Sequence, residues 1–208
     1  MDHEYNALVK NGTWTLCPLP EGKKAIGTKW VYKTKTDESG QIARYKARLV
    51  AKGFSQVPGR DYLDTFSPVA KISSIRVILA ISSVNDYELD NMDVDTAFLQ
   101  TQVNEDIYVQ QPKGFAKKGT KGEPLVCKLN KSLYGLKQSS RNWYKEIDAW
   151  LKQYGLSPSA ADPCVYSKIS GNEVLIIVLY VDDLIIAGSN RTQVNLFKQS
   201  ISKRFKMP

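Results

Sequence analysis

The sequence is poor in the residues on which nucleophilic catalysis, zinc binding and disulfide scaffolds depend. It contains a single histidine, His3, and only three cysteines, Cys17, Cys127 and Cys164. A Ser–His or Cys–His pair would therefore have to use a histidine in a terminal segment, where chains usually fray. The cysteines are far apart and form no CxxC pair, so they argue against a zinc site or a disulfide framework and favour a reducing compartment.

Long apolar segments are lacking as well. The longest, Val174 to Ala187, is too short to span a bilayer and carries two aspartates in its middle. The N-terminus, MDHEYNALVKNGTW, has no apolar core of the kind found in secretory signals. We therefore expect an intracellular protein that is not secreted and has no membrane partner.

Negative charge is in the minority. The 29 Lys and Arg residues exceed the 21 Asp and Glu residues and give a net charge of +8. Such an excess favours a polyanionic partner without establishing one, because many basic proteins bind nothing in particular. With 208 residues, of which 42% are hydrophobic, the chain can also build a substantial core.

A basic β-hairpin is predicted in the first quarter of the chain. The segment from Lys29 to Ala51, KWVYKTKTDESGQIARYKARLVA, alternates basic with apolar or aromatic residues on both sides of the turn-forming residues 37–40. This alternation is typical of paired strands with one basic face. That face is either a solvated surface or a surface that holds phosphates, and the pattern leaves both interpretations open.

The remaining pattern predicts a mixture of helices and strands. Ser73 or Ser74 is expected to cap a helix that extends to about Val84, with one apolar stripe formed by Ile75, Ile78 and Leu79. A second helix follows Ser139 and Ser140 and stops at Gly155, and Asn190 caps a third. The apolar stripe of the second helix consists of Trp143, Ile147, Trp150, Leu151 and Tyr154, and we interpret it as core.

Carboxylates occupy two unusual positions. In IVLYVDDLIIA, Asp182 and Asp183 interrupt an apolar run of the kind that proteins bury, and burying two ionised carboxylates without a cation, a proton or an exposed turn is costly. The segment YELDNMDVDTAFLQ adds Asp93 at an expected strand end. If that strand lay beside the hairpin that carries Asp182, the carboxylates would meet at one end of a sheet and suit hard divalent cations. The alternative is ordinary turn chemistry, in which the two aspartates have no ligand.

Seven sequence blocks follow one another along almost the whole chain. They are KWVYKTKTDESGQIARYKARLVAKGFSQ, DTFSPVAKISSIRVILA, MDVDTAFLQ, IYVQQPKGF, CKLNKSLYGLKQSSRNWY, DPCVYSK and LYVDDLIIAGS. In this order they resemble the reverse transcriptase, an RNA-directed DNA polymerase, of copia-type LTR retrotransposons. A YxDD tetrapeptide alone occurs by chance, whereas seven blocks in sequence are very specific.

The resemblance implies an α+β right-hand polymerase fold, with a fingers β-hairpin and a palm formed by an antiparallel sheet backed by helices. Residues 1–80 would form the N-terminal segment and the fingers. Residues 81–208 would form the palm, with an interleaved fingers segment around residues 103–140, all within one reverse transcriptase domain. The chain ends at Pro208, before the thumb and RNase H of the family, so we expect weak or no processive synthesis.

The resemblance also implies a catalytic centre with two Mg²⁺ ions, or Mn²⁺ in their place. Asp93 and Asp182 would be the shared metal ligands, Asp183 a weaker supporting one, and Val94 would offer its backbone carbonyl. All three aspartates would then be catalytic.

The same resemblance implies substrate contacts. The partners would be an RNA or DNA template with its primer, deoxynucleoside triphosphates and the rest of a Pol polyprotein, in a cytoplasmic particle or the nucleus. The residues expected to bind the nucleotide are Lys46, Arg48, Thr96, Ala97 and Phe98, where Phe98 would pack under the sugar. The residues expected along the template and primer are Tyr134, Gly135, Lys137 and Tyr180.

Two departures from the family pattern leave a second function open. Asp95 stands where the family usually has a lysine, and Gln100-Thr101-Gln102 replaces the usual Asn-Gly turn. Together with the early end of the chain, they are also compatible with a catalytically inactive retrotransposon remnant that acts at most as a basic nucleic-acid-binding module. The intact aspartates favour the polymerase.

Overall fold

The computed structural model describes residues 1–207 and divides the chain into two compact units, each made of two stretches. The first unit comprises residues 1–66 and 98–142, and the second comprises residues 67–97 and 143–208. The boundary expected after residue 80 falls inside a helix of the second unit, α2 (Ile72–Val84). The assignment of the units as fingers and palm stays a prediction.

The first unit combines a helix, a three-stranded sheet and a separate hairpin. Its elements are α1 (Asp2–Lys10), β1 (Trp14–Cys17), β2 (Thr28–Thr36), β3 (Ile42–Ala51), β5 (Tyr108–Val109) and β6 (Val126–Leu129). Antiparallel β2 and β3 form the hairpin, and the sheet has the strand order β1-β6-β5. The long hairpin predicted from the alternating segment is therefore confirmed.

One apolar core holds the elements of the first unit together. It includes Leu8 of α1, Leu49 of β3, Val109 of β5 and Leu129 of β6, all of them buried. Each residue comes from a different element, so burial of their side chains fixes the helix and the hairpin against the sheet. Leu133 and Leu136 extend this core into the loop that follows β6.

The second unit is built on a five-stranded antiparallel sheet. Its strands are β4 (Glu88–Asp93), β7 (Ser157–Pro158), β8 (Val165–Ser170), β9 (Glu173–Tyr180) and β10 (Asp183–Gly188), in the order β4-β10-β9-β8-β7. Its helices are α2, α3 (Ser139–Gln153), whose first turn lies in the first unit, and α4 (Arg191–Arg204). Gly171 and Asn172 form the tight turn that joins β8 to β9.

Burial in β9 explains the long apolar run that carries the two aspartates. Five successive residues, from Leu175 to Leu179, are buried. Since successive side chains of a strand point to opposite faces, both faces of the central sheet must be covered. Helices α2 and α4 contact β10, and buried apolar residues of the same unit include Trp143, Ile147 and Leu151 of α3 and Val194, Phe197 and Ile201 of α4.

The helix ends confirm part of the sequence prediction and correct the rest. The Asn190 side chain caps α4 by accepting a hydrogen bond from the Gln193 N–H at 2.8 Å, as expected. Gly155, with φ of +94°, follows α3, as predicted. The expected Ser73 or Ser74 cap of α2 is wrong, because the helix already begins at Ile72 after the extended Lys71.

A distant carboxylate takes the place of the expected serine cap. Asp162 accepts a hydrogen bond from the Lys71 N–H at 2.9 Å, across 91 positions of the chain. The expected stripe of α2 is also only partly buried, because Ile78 is inside whereas Leu79 is 41% exposed. Among residues 1–207, no helix is both long enough and apolar enough to cross a membrane.

Candidate active site

Three aspartates of the second unit lie at one end of its sheet. Strand β4 ends at Asp93 and β10 begins at Asp183, and the antiparallel register pairs these two residues directly. Asp182 occupies the turn between β9 and β10, next to Asp183. The expectation that the strand carrying Asp93 lies beside the Asp182 hairpin is therefore confirmed. Directly opposed residues of an antiparallel pair have Cβ atoms about 4.5–5.5 Å apart on the same face of the sheet.

The turn between β9 and β10 is held by two hydrogen bonds to its backbone carbonyls. The Val94 N–H donates to the Asp182 carbonyl at 2.8 Å, and the Trp143 indole N–H donates to the Val181 carbonyl at 2.5 Å. Val181 adopts a φ of +57°, in the left-handed region that β-branched residues rarely occupy. The turn is thus strained, and the hydrogen bonds from Val94 and Trp143 hold its two residues in place. Val94, the expected carbonyl ligand, is buried.

The three carboxylates are electrostatically coupled and unpaired. Local desolvation, and then the negative charges of Asp182 and Asp93, raise the pKa of Asp183 above the usual aspartate value. In the part of the chain that the structure describes, none of the three forms an ion pair or a side-chain hydrogen bond. Unpaired carboxylates that repel one another favour a bound cation.

The carboxyl groups themselves are less convergent than the sequence led us to expect. Among the described residues, no three His, Cys, Asp or Glu side chains are gathered closely enough to hold a metal ion. The physical reason is that Asp182 and Asp183 are successive residues, whose side chains diverge, and that like charges repel. The backbone nevertheless brings together oxygen donors only, which is the chemistry that Mg²⁺ and Mn²⁺ prefer.

Acidic neighbours of this set have basic partners. On β4, Asp90 accepts from Lys198 at 2.5 Å, and Glu88 pairs with Arg191. Asp95, the residue that departs from the family pattern, accepts from the Lys206 ammonium at 2.5 Å. The added charge at Asp95 is therefore balanced within the second unit, by a lysine 111 positions away that the local sequence does not indicate.

One face of the β2–β3 hairpin in the first unit carries a cluster of basic residues. The strand register places Lys33 opposite Lys46 and Lys35 opposite Arg44, and it puts Arg48 on the same face. Like charges directly opposite each other destabilise a strand pair, so this face favours an anionic ligand. Desolvation, followed by the charges of Arg48, Lys35 and Arg44, lowers the pKa of Lys46. We call Lys33, Lys35, Arg44, Lys46 and Arg48 the basic face.

Three residues predicted to contact substrate meet in the first unit. The Arg48 guanidinium lies over the Tyr134 ring, 5.4 Å from its centroid, and the Phe98 ring contacts Tyr134 edge-on at 4.9 Å. The loop that carries Tyr134 is pressed against β3, because the Ala51 N–H donates to the Tyr134 carbonyl at 2.7 Å. Arg48 is thus neighboured by residues expected at the nucleotide and at the template.

Buried amides fix this loop from its other side. The Lys137 N–H donates to the Gln56 side chain at 2.7 Å, and the Gln56 amide donates to Gln138 at 3.0 Å. Gln138 in turn donates to the Asp61 carbonyl at 2.9 Å. Neither glutamine was singled out from the sequence, because nothing local marks a polar residue that will be buried.

The remaining predicted residues lie in different surroundings. Thr96 adopts a φ of +54° and Ala97 is buried, both in the second unit, whereas Phe98 belongs to the first. Tyr180 ends β9 and is 45% exposed. Their roles at a nucleotide or a primer stay predictions.

Comparison with known proteins identifies the class of this chain. The family model described as "Reverse transcriptase (RNA-dependent DNA polymerase)" matches residues 11–208. The match covers nearly the whole chain, including both the basic hairpin and the aspartate turn. The chain therefore belongs to the reverse transcriptase family.

Relatives of the chain include polyproteins of mobile elements. The chain is 47% identical over 208 residues to the retrovirus-related Pol polyprotein from transposon TNT 1-94 of Nicotiana tabacum, covering 100% of this chain and 16% of that protein. It is 40% identical over 206 residues to the corresponding polyprotein from transposon RE1 of Arabidopsis thaliana, covering 99% and 14%. A Ty1-BL Gag-Pol polyprotein of Saccharomyces cerevisiae is 29% identical over 206 residues, covering 96% and 11%. The chain thus spans about one sixth of the plant relatives' length or less.

Proposed function

We propose that this chain is the polymerase core of a copia-type Pol polyprotein and that it transfers deoxynucleotides to a primer 3′-hydroxyl on an RNA or DNA template. The observation that carries the proposal is the pairing of Asp93 with Asp183 beside Asp182, at a sheet end where none of them has a cationic partner among the described residues. In this proposal the second unit is the palm and the first unit the fingers of a right-hand polymerase.

Asp93 and Asp182, with Asp183 in support, are the residues that would hold two Mg²⁺ or Mn²⁺ ions. Bound there, the ions would lower the pKa of the primer hydroxyl and offset the charge of the departing pyrophosphate. The raised pKa of Asp183 agrees with a site whose negative charges need a cation. The Val94 carbonyl is a further candidate ligand.

The protein's own side chains would bind and orient the other partners. Lys46 and Arg48, with the rest of the basic face, would hold phosphates, because their mutual repulsion is relieved by an anion. The Arg48, Tyr134 and Phe98 group offers a cation and two aromatic rings to a sugar and a base. Template sequence would be selected by base pairing, so the protein needs to recognise only shape and charge.

A second candidate function is nucleic-acid binding without catalysis, by an inactive remnant. The like-charged strand pairs of the basic face favour it, because they would bind a polyanion whether or not the aspartates work. In that case the chain would act as a basic module and the aspartate turn would be a relic of the polymerase.

Primer extension separates the two candidates. Oligo(dT) on poly(rA) with Mg²⁺ would be extended by the unaltered chain and by Asp90→Asn, whose residue pairs with Lys198 on the same sheet. Asp182→Asn would abolish extension without lowering the melting temperature, because it removes one of three mutually repelling charges. Equal nucleotide incorporation by the unaltered chain and Asp182→Asn would contradict the polymerase function. So would no incorporation by either protein while the oligonucleotide still binds, and only the binding module would then remain.

A further inference from the structure

The hairpin turn that carries Asp182 contains the most strained non-glycine residue of the β9–β10 pair. Val181 has a φ of +57° and a β-branched side chain, a combination that L-residues rarely adopt. Such a conformation persists only where the surroundings over-determine it, and it is concentrated at functional sites. The residues that hold Val181 in place therefore also determine where the neighbouring carboxylates lie.

Trp143 is the side chain that holds Val181. Its indole N–H donates to the Val181 carbonyl at 2.5 Å, across 38 positions of the chain. The ring is itself fixed, being 2% exposed and packed edge-on against Phe205 with 5.3 Å between ring centroids. A rigid donor on α3 thus secures one end of the turn, while the Val94 N–H secures the Asp182 carbonyl at the other.

The indole has a role that apolar packing alone does not require. Phe197, Phe205 and Trp150 already fill the neighbouring volume with aromatic rings. What Trp143 adds is a donor aimed at the one hairpin residue with a positive φ. Without that donor, the strained peptide group could rotate towards a relaxed turn, and the directions of Asp182 and Asp183 would change with it.

We propose that Trp143 is a positioning residue, which orients the Asp182–Asp183 turn through its bond to the Val181 carbonyl and touches no substrate. The proposal rests on the proposed polymerase function for its catalytic meaning. Whether the indole N–H controls the turn can be measured without any assay of catalysis.

Trp143→Phe and Trp150→Phe form a matched pair for the test. Trp143 and Trp150 lie on the same helix, and both pack on the Phe205 ring. The distances between ring centroids are 5.3 Å for Trp143 and 5.9 Å for Trp150. Only Trp143→Phe removes the donor to Val181. In the metal-free protein, we expect amide hydrogen exchange of Val94, which donates to the Asp182 carbonyl, and of Asp183, which pairs with Tyr180, to accelerate at least about tenfold in Trp143→Phe and to stay unchanged in Trp150→Phe.

Two further measurements connect the turn to the site. Binding of Mn²⁺ alone, followed by electron paramagnetic resonance, should weaken about tenfold in Trp143→Phe and not in Trp150→Phe. In primer extension, kcat should fall while the KM for the nucleotide changes little, because orientation rather than binding is lost. If Trp143→Phe does not fold, benzothienylalanine at position 143 keeps the ring shape and replaces the N–H by sulfur, and the same comparison applies.

Exchange and Mn²⁺ affinity that are equal in the two variants would overturn the proposal. If no form of the chain extends a primer, the polymerase function fails, whereas the exchange comparison still decides whether Trp143 controls the turn. Faster exchange confined to the Val94 and Asp183 amides supports it. Acceleration spread evenly through the second unit contradicts it, because that pattern marks a general loss of packing.

Discussion

Lys206 contacts Asp95 in two ways: its backbone carbonyl accepts the Asp95 N–H at 2.9 Å, and its ammonium donates to the Asp95 carboxylate at 2.5 Å. Asp95 follows Asp93 by two positions. The pair therefore ties the segment that leaves the candidate site to the residues that follow α4, and it offsets a negative charge next to the three aspartates.

Replacing Lys206 should affect substrate binding more than stability. The Lys206 side chain is 70% exposed, so loss of the ion pair in Lys206→Gln should lower the free energy of unfolding by no more than about 1 kcal/mol. The uncovered Asp95 charge would repel a triphosphate, and the KM for the nucleotide should rise several-fold in primer extension. Asp95→Asn should restore the KM in the Lys206→Gln background. A KM that rises equally in Lys203→Gln, an exposed lysine in the last turn of α4, would show that only net charge matters.

The basic face should gain stability and lose affinity when one of its charges is removed. Lys46→Gln removes a like-charged partner of Lys33, so unfolding should become slightly less favourable at low salt. The same change removes one phosphate contact, which should reduce the slope of log affinity for an oligonucleotide against log salt by about 1. Fluorescence anisotropy over a salt series measures this slope. Lys145→Gln, at an exposed position of α3, should change neither quantity.

Local patterns predicted the elements and the place of the aspartates. The alternation from Lys29 to Ala51 gives the hairpin, and the apolar run around Asp182 gives a buried pair of strands with an acidic turn. That the Asp93 strand lies beside this turn was left as a condition by the pattern, and the pairing of Asp93 with Asp183 fulfils it. The hairpin and the acidic turn depend on residues that are close in sequence and on the period of a strand.

Contacts between distant positions could not be predicted in the same way. Asp162 caps α2, Lys206 pairs with Asp95, and the Trp143 indole holds Val181, and in each pair the local sequence is compatible with many other partners. Trp143 was expected to be core because of its place in a helical stripe, and it is buried. Its hydrogen bond depends on where the β9–β10 turn comes to lie, which the periodicity of α3 does not encode.

The cap of α2 predicts an acid-sensitive contribution to stability. Asp162 is 2% exposed; burial by itself would raise the pKa of its carboxyl, but hydrogen bonds from Lys71, Ser74 and Cys164 outweigh burial and lower it below the usual 3.8. The Asp162 carboxyl therefore has a lower pKa in the folded protein than in the unfolded chain. Its contribution to stability is complete above the unfolded-state pKa and is lost as the pH falls towards the folded-state pKa. Asp162→Asn should therefore be less stable than the unaltered chain at neutral pH, by about 1–2 kcal/mol.

Urea unfolding as a function of pH tests this cap. The difference in unfolding free energy between the unaltered chain and Asp162→Asn should shrink as the pH falls below about 4, because protonation removes the same acceptor that the substitution removes. Asp86→Asn makes the same chemical change at an exposed position of the second unit; its φ is +53°, so the substitution can shift the curve through the backbone but by the same amount at every pH. A difference that stays constant down to acid pH would show that the Asp162 charge does not stabilise α2.

Gly135 is required by the close approach of its loop to β3. A Cβ built at this position would lie 2.2 Å from the Ala51 carbonyl oxygen and 2.6 Å from a methyl group of Val50, and the residue has a φ of +89°. Gly59, with a φ of +78°, is a matched control in the same unit, because a Cβ there has no neighbour within 4 Å. Gly59→Ala should cost only the backbone strain of about 1 kcal/mol. Gly135→Ala should cost about 2 kcal/mol more in urea unfolding, because the loop must withdraw from β3.

Withdrawal would also separate Tyr134 from Arg48, so nucleotide affinity should fall in Gly135→Ala and not in Gly59→Ala. Equal losses of stability in the two variants would mean that the loop adapts without moving, and that the Arg48–Tyr134 contact does not depend on the glycine.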